Sequence, residues 1–89
     1  MDLTQLRAEI DQIDDQLVAL FLRRMQACAL VADYKKAHNL PILMPSREQE
    51  KLRSVAEKAG PELAEDMQTL YTLIMELSRN YQSRHIEVI

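Results

Sequence analysis

Glycine occurs once in 89 residues, cysteine once and tryptophan not at all. The lone cysteine, Cys28, excludes an internal disulfide. With one glycine there is no glycine-rich phosphate loop. His38, His85 and Cys28 have neither metal-ligand spacing nor an assembled triad, so no metal site is expected. The N-terminal stretch MDLTQLRAEID has acids where a signal peptide needs a basic start and an apolar run, and a cytoplasmic protein is expected. No apolar run approaches the roughly 20 residues of a membrane span. A basic excess is also missing, since 11 Lys and Arg stand against 14 Asp and Glu. Neither nucleic acid nor an anionic membrane is therefore an expected partner, and any anion site has to be local.

What is present is helical patterning. The single glycine, Gly60, and the prolines Pro41, Pro45 and Pro61 fall at two places and divide the chain into three segments. In the first, Leu3, Leu6, Ile10, Ile13, Leu17, Leu20, Arg24, Ala27, Val31 and Tyr34 step by threes and fours, with no breaker before Asn39. In the second, Ser46 is expected to cap a short helix with Gln49 reaching back, and Gly60 to end it. In the third, Pro61 suits a first turn, and Leu63, Met67, Leu70, Ile74, Leu77 and Tyr81 repeat the seam. No strand signal, internal repeat or low-complexity segment occurs.

Length then decides the architecture. At 1.5 Å per residue the first helix runs on the order of 50 Å, and the other two roughly 20 and 35 Å. Three helices of those lengths in one chain cannot cover the long seam. An all-α fold of long, short and long helices, intertwined as a homodimer, is expected. Eighty-nine residues are also near the size at which a chain alone struggles to bury enough surface.

The seam carries an anomaly, because Arg24 falls between Leu20, Ala27 and Val31. Guanidinium keeps its charge, so burying it is costly unless an anion meets it. An internal Asp or Glu could do so, or the side chain could snorkel to solvent. Lys35 favours a ligand instead: it returns to within about 20° of Arg24's direction, about 16 Å along the axis. Two cationic arms can then converge on one small anion, while Arg23 and Lys36 point elsewhere. Arg7 lies about 25 Å from Arg24 along the helix and roughly 100° round it. It can share that site only from a second subunit. Ser78 and Gln82 share one face of the third helix, and Arg47 and Glu48 open the second, where Glu48 suits the positive helix end.

Taken in order, Leu6-Arg7, Ile10, Ile13-Asp14, Arg23-Arg24, Lys35, Pro41, Pro45-x-Arg47-Glu48 and Ser78-x-x-Tyr81-Gln82 resemble the helical class of chorismate mutases. The resemblance covers essentially the whole chain, residues 1–89, as one domain. It implies an intertwined three-helix dimer that converts chorismate to prephenate, on the route to phenylalanine and tyrosine. It further implies that Arg24, Arg47 and the Arg7 of a second subunit bind the two substrate carboxylates, with Ser78 helping at one. Lys35 and Gln82 would bond the ether oxygen, and Glu48 the ring hydroxyl. The reaction is an intramolecular Claisen rearrangement, which calls for no nucleophile, metal or other cofactor.

One position departs from the pattern. Many such enzymes carry an acid three residues before the Arg-Glu pair, and Met44 stands there. Recognition of the hydroxyl would then rest on Glu48. Two alternatives remain open: an isochorismate pyruvate-lyase of the same fold, which Met44 leaves some room for, and a noncatalytic helical interaction module. The second predicts Arg24 and Lys35 solvated or paired internally.

Overall fold

Asp2 opens the first helix. Its carboxylate accepts from the Gln5 N–H at 2.8 Å while the Gln5 side chain accepts from the Asp2 N–H at 2.9 Å, a reciprocal cap. In the computed structural model, which describes residues 1–88, helix α1 then spans Leu3–Ala37, α2 Pro45–Ala59 and α3 Ala64–Val88. The last residue of the expected domain, Ile89, lies outside the described residues. No strand occurs among them.

α1 ends where the backbone turns left-handed at Asn39, with φ 55°. The Leu40 N–H reaches the Lys35 carbonyl at 2.8 Å, closing the last turn and sending the chain back toward Lys35. α2 begins one residue earlier than its expected cap. Pro45 takes the first helical position, where its missing N–H is no loss, and Met44 becomes the cap without a side-chain bond. Ser46 thus lies inside the first turn, and the expected Ser46–Gln49 box is not formed. Gly60, at φ 84°, ends α2 as expected. Pro61 contributes to a turn over residues 61–63 rather than to the helix, which starts at Ala64.

α3 packs against both other helices, and the backbones of α1 and α2 do not approach each other. The result measures 54 × 29 × 14 Å, close to a single layer of helices. A single layer leaves each helix open on its broad faces. Accordingly the buried apolar residues are Ala29, Ala32, Val55 and Met75, and no large side chain is fully buried among the described residues. Small residues at 29 and 32 let α1 approach α3 closely.

The seam expected to be buried is not covered within this chain. Leu20, Ala27 and Val31 are exposed, and so is every residue from Met1 to Leu20. The first half of α1 projects beyond α3 with Leu6, Ile10, Ile13 and Leu17 bare. No described helix is long and apolar enough to cross a membrane.

Candidate functional site

The chain returns from α1 to α2 alongside the second half of α1, so three elements meet over the middle of α3. They enclose a cavity of about 120 Å³. α1 lends Arg24 and Lys35, the first turns of α2 lend Arg47, Glu48 and Lys51, and α3 lends Met75, Arg79 and Gln82. Ile42 and Met44 close the side between α1 and α2. Five cations thus line the cavity against one carboxylate, in a protein whose net charge is −3. Positive charge is thus concentrated at the place where Arg24 and Lys35 converge.

Arg24 has an uncharged partner. Its Nη1 donates to Ser78 Oγ at 2.6 Å, and the Ser78 hydroxyl donates to the Ile74 carbonyl at 2.7 Å. Cys28 Sγ stands 3.8 Å from the same nitrogen, and the guanidinium lies 5.9 Å from the centre of the Tyr71 ring. No carboxylate pairs with Arg24 among the described residues. The internal ion pair considered for it is absent there, and its charge remains available to a ligand.

Lys35 is held differently. Its Nζ donates to the Ile42 carbonyl at 2.8 Å, which leaves the other ammonium protons free. Gln82 is 7% exposed and its Oε1 is buried without a partner. An unmatched buried polar atom costs on the order of 1–3 kcal/mol, so this oxygen calls for a donor, while the NH2 of the same amide is the group able to donate. Ser78, 4% exposed, lies behind Arg24 and does not itself line the cavity.

Of the residues expected at the site, Arg24, Lys35, Arg47, Glu48 and Gln82 meet at the cavity and Ser78 supports it from beneath. Arg7 is not brought there, and stands exposed on the projecting half of α1. Two cavity cations were not expected, Lys51 and Arg79. Lys51 sits one turn beyond Arg47. Arg79 shares a helical face with Met75 and Gln82, at spacings of four and three residues, a signal that could have found it. His85, for which the sequence offers no partner at metal-ligand spacing, meets Asp33 at 2.8 Å and joins the C-terminal turns of α1 and α3. No group of three or more metal-ligating side chains occurs among the described residues.

Comparison with known proteins shows the family. The family model described as chorismate mutase type II matches residues 6–83. A T-protein of Haemophilus influenzae is 43% identical over 70 residues, 73% of this chain and 19% of the relative. A T-protein of Enterobacter agglomerans is 39% identical over 71 residues, 74% of this chain and 19% of the relative. A bifunctional chorismate mutase/prephenate dehydratase of Aquifex aeolicus is 39% identical over 49 residues, 55% of this chain and 14% of the relative. The chain therefore spans less than a fifth of the length of these relatives. No solved structure gives a significant match.

Proposed function

The chain belongs to the chorismate mutase type II family, and on that premise we propose that it rearranges chorismate to prephenate in sites shared between two copies of itself. The observation that carries this reading is the cavity, where Arg24, Lys35, Arg47 and Lys51, without acidic partners among the described residues, stand beside the buried Gln82 amide. Chorismate has two carboxylates, an ether bridge and a ring hydroxyl, and each finds a chemical match. Arg24 and Arg47 bind the carboxylates, with Arg24 held in place by Ser78. Glu48 accepts from the ring hydroxyl.

The rearrangement breaks a C–O bond and forms a C–C bond within one molecule. Two carboxylate clamps hold the substrate in the compact shape in which the reacting carbons approach each other. As the C–O bond lengthens, negative charge grows on the ether oxygen. Lys35 and the Gln82 amide donate to it, and both bonds strengthen in the transition state. One preorganised donor of this kind is worth about 3 kcal/mol. Two donors together with conformational restriction supply the roughly 8 kcal/mol of a millionfold acceleration.

The second copy is argued from the bare half of α1. An isolated amphipathic helix gains little from propensity alone and depends on burial of its apolar face. Burying a leucine or isoleucine in full contributes about 1.5–3 kcal/mol, and Leu6, Ile10, Ile13 and Leu17 all stand exposed. An identical copy with its own bare seam and single-layer body complements that surface, and two-fold pairing satisfies both seams at once. Exchange of the projecting halves carries each Arg7 toward the other copy's cavity, where it becomes the third carboxylate ligand.

The test is incubation of the purified protein with chorismate, followed by measurement of prephenate. Prephenate formation above the uncatalysed rate supports a mutase. With isochorismate as substrate, pyruvate and salicylate would instead identify a lyase. A folded dimer that converts neither would favour a noncatalytic module.

A further inference from the structure

Glu48 is the only carboxylate lining the cavity among the described residues, and a single guanidinium holds it. Arg79 Nη1 lies 2.5 Å from one carboxylate oxygen and 2.6 Å from the other, bridging α2 and α3 over a sequence separation of 31. The two side chains are 31% and 25% exposed, so the pair belongs to the cavity wall rather than to the open surface.

The position of Arg79 matters because Glu48 has competitors close by. Arg47 precedes it and Lys51 follows it by less than a turn, both lining the same cavity. A glutamate on a helix's first turn has three side-chain torsions, and fixing them costs up to about 2 kcal/mol. Arg79 meets that cost before any ligand arrives, drawing the carboxylate across toward α3. A carboxylate offers about four acceptor sites, so two remain for a ligand after the Arg79 contacts. Met44, on the neighbouring wall, has no acceptor beyond a weak thioether sulfur and cannot take over the role.

We propose that Arg79 is a positioning residue, which orients the Glu48 carboxylate toward the substrate's ring hydroxyl and thereby sets selectivity for a hydroxylated substrate. This rests on the mutase reading. Arg79 touches no reacting atom, and its effect passes through Glu48 alone. Its removal therefore matters only to a substrate that uses Glu48.

The experiment measures kcat and KM for wild type, Arg79→Ala, Arg79→Lys, Glu48→Ala and the Arg79→Ala/Glu48→Ala double variant. Each is assayed with chorismate and with an analogue in which hydrogen replaces the ring hydroxyl. Should Arg79→Ala fail to fold, Arg79→Met keeps the packing stem and takes its place. The expected result is a fall in kcat/KM for chorismate of about tenfold, mainly through KM, in Arg79→Ala. The analogue should change by less than about twofold, Arg79→Lys should recover part of the loss, and the double variant should be no worse than Glu48→Ala. Equal losses on both substrates would show a structural role and overturn the proposal, as would additive losses or no loss. A wild-type chain that leaves chorismate unchanged would overturn the mutase reading, and this inference with it. Wild-type turnover with equal losses overturns the inference alone.

Discussion

Arg24 reaches across the α1–α3 interface to Ser78, its Nη1 2.6 Å from the hydroxyl oxygen. Because Ser78 is buried and is itself tied to the Ile74 carbonyl, the contact fixes the guanidinium from below and leaves its outer edge facing the cavity. On the proposed mutase reading, Ser78 would act on a substrate carboxylate through Arg24. Replacing it with Ala removes an acceptor from a charged donor, worth about 1.5–3 kcal/mol. Ser78→Ala should lower kcat/KM by roughly tenfold or more while the helical signal and melting cooperativity persist. An unchanged kcat/KM would mean that Arg24 keeps its place without the serine.

Lys35 gives a different signature. Its bond to the Ile42 carbonyl holds the ammonium at the cavity before substrate arrives, so the charge costs little reorganisation during reaction. Lys35→Ala should lower kcat on the order of a hundredfold or more. A change confined to KM would contradict a role at the ether oxygen.

Gln82 permits a test by pH, because an amide does not titrate through the neutral range whereas a carboxyl does. In Gln82→Glu the protonated carboxyl can still donate to the ether oxygen, but the carboxylate repels the charge that develops there. The activity of this variant should fall as pH rises through titration of the introduced group, while wild type stays nearly flat across the same interval. A variant that follows the wild-type profile would remove Gln82 from the ether oxygen.

The bare seam can be tested apart from chemistry. Ile13, on the projecting half of α1, is 48% exposed within one chain and should be covered when two chains pair. Ile13→Glu would place a charge in that contact, and burying an unpaired charge is strongly unfavourable. Sedimentation should show wild type as a dimer and the variant shifted toward monomer, with activity lost in parallel. A wild-type monomer that is fully active would contradict the shared-site arrangement.

The sequence made helix ends legible where backbone chemistry leaves little choice, as at Gly60 and before Asn39. It misled where two start signals adjoin: Pro45 fits the first helical position and displaces Ser46 from the cap. Arg24, Lys35, Arg47, Glu48 and Gln82 could be assembled from helical spacing and family resemblance, since each stands at a regular position on its helix. Arg79 carried the same signal of place, three residues before Gln82, but not of partner, because Glu48, 31 residues away, is seen against it only in the fold. The Leu20–Val31 seam was legible as apolar, but periodicity does not say which chain covers it. Within one chain the close contact falls instead on Ala29 and Ala32, whose small size is what admits α3.

The shared site is tested most directly by mixing two defective proteins. Arg7→Ala and Lys35→Ala homodimers should each be nearly inactive, since every site in either lacks one cation. Unfolding equal amounts together and refolding them makes about half the dimers mixed, each with one doubly defective site and one intact site. About a quarter of all sites then contain Arg24, Lys35 and an Arg7 from the other copy, and roughly a quarter of wild-type chorismate turnover should return. Background activity in a preparation shown to contain mixed dimers would contradict the exchange and remove Arg7 from its partner's site.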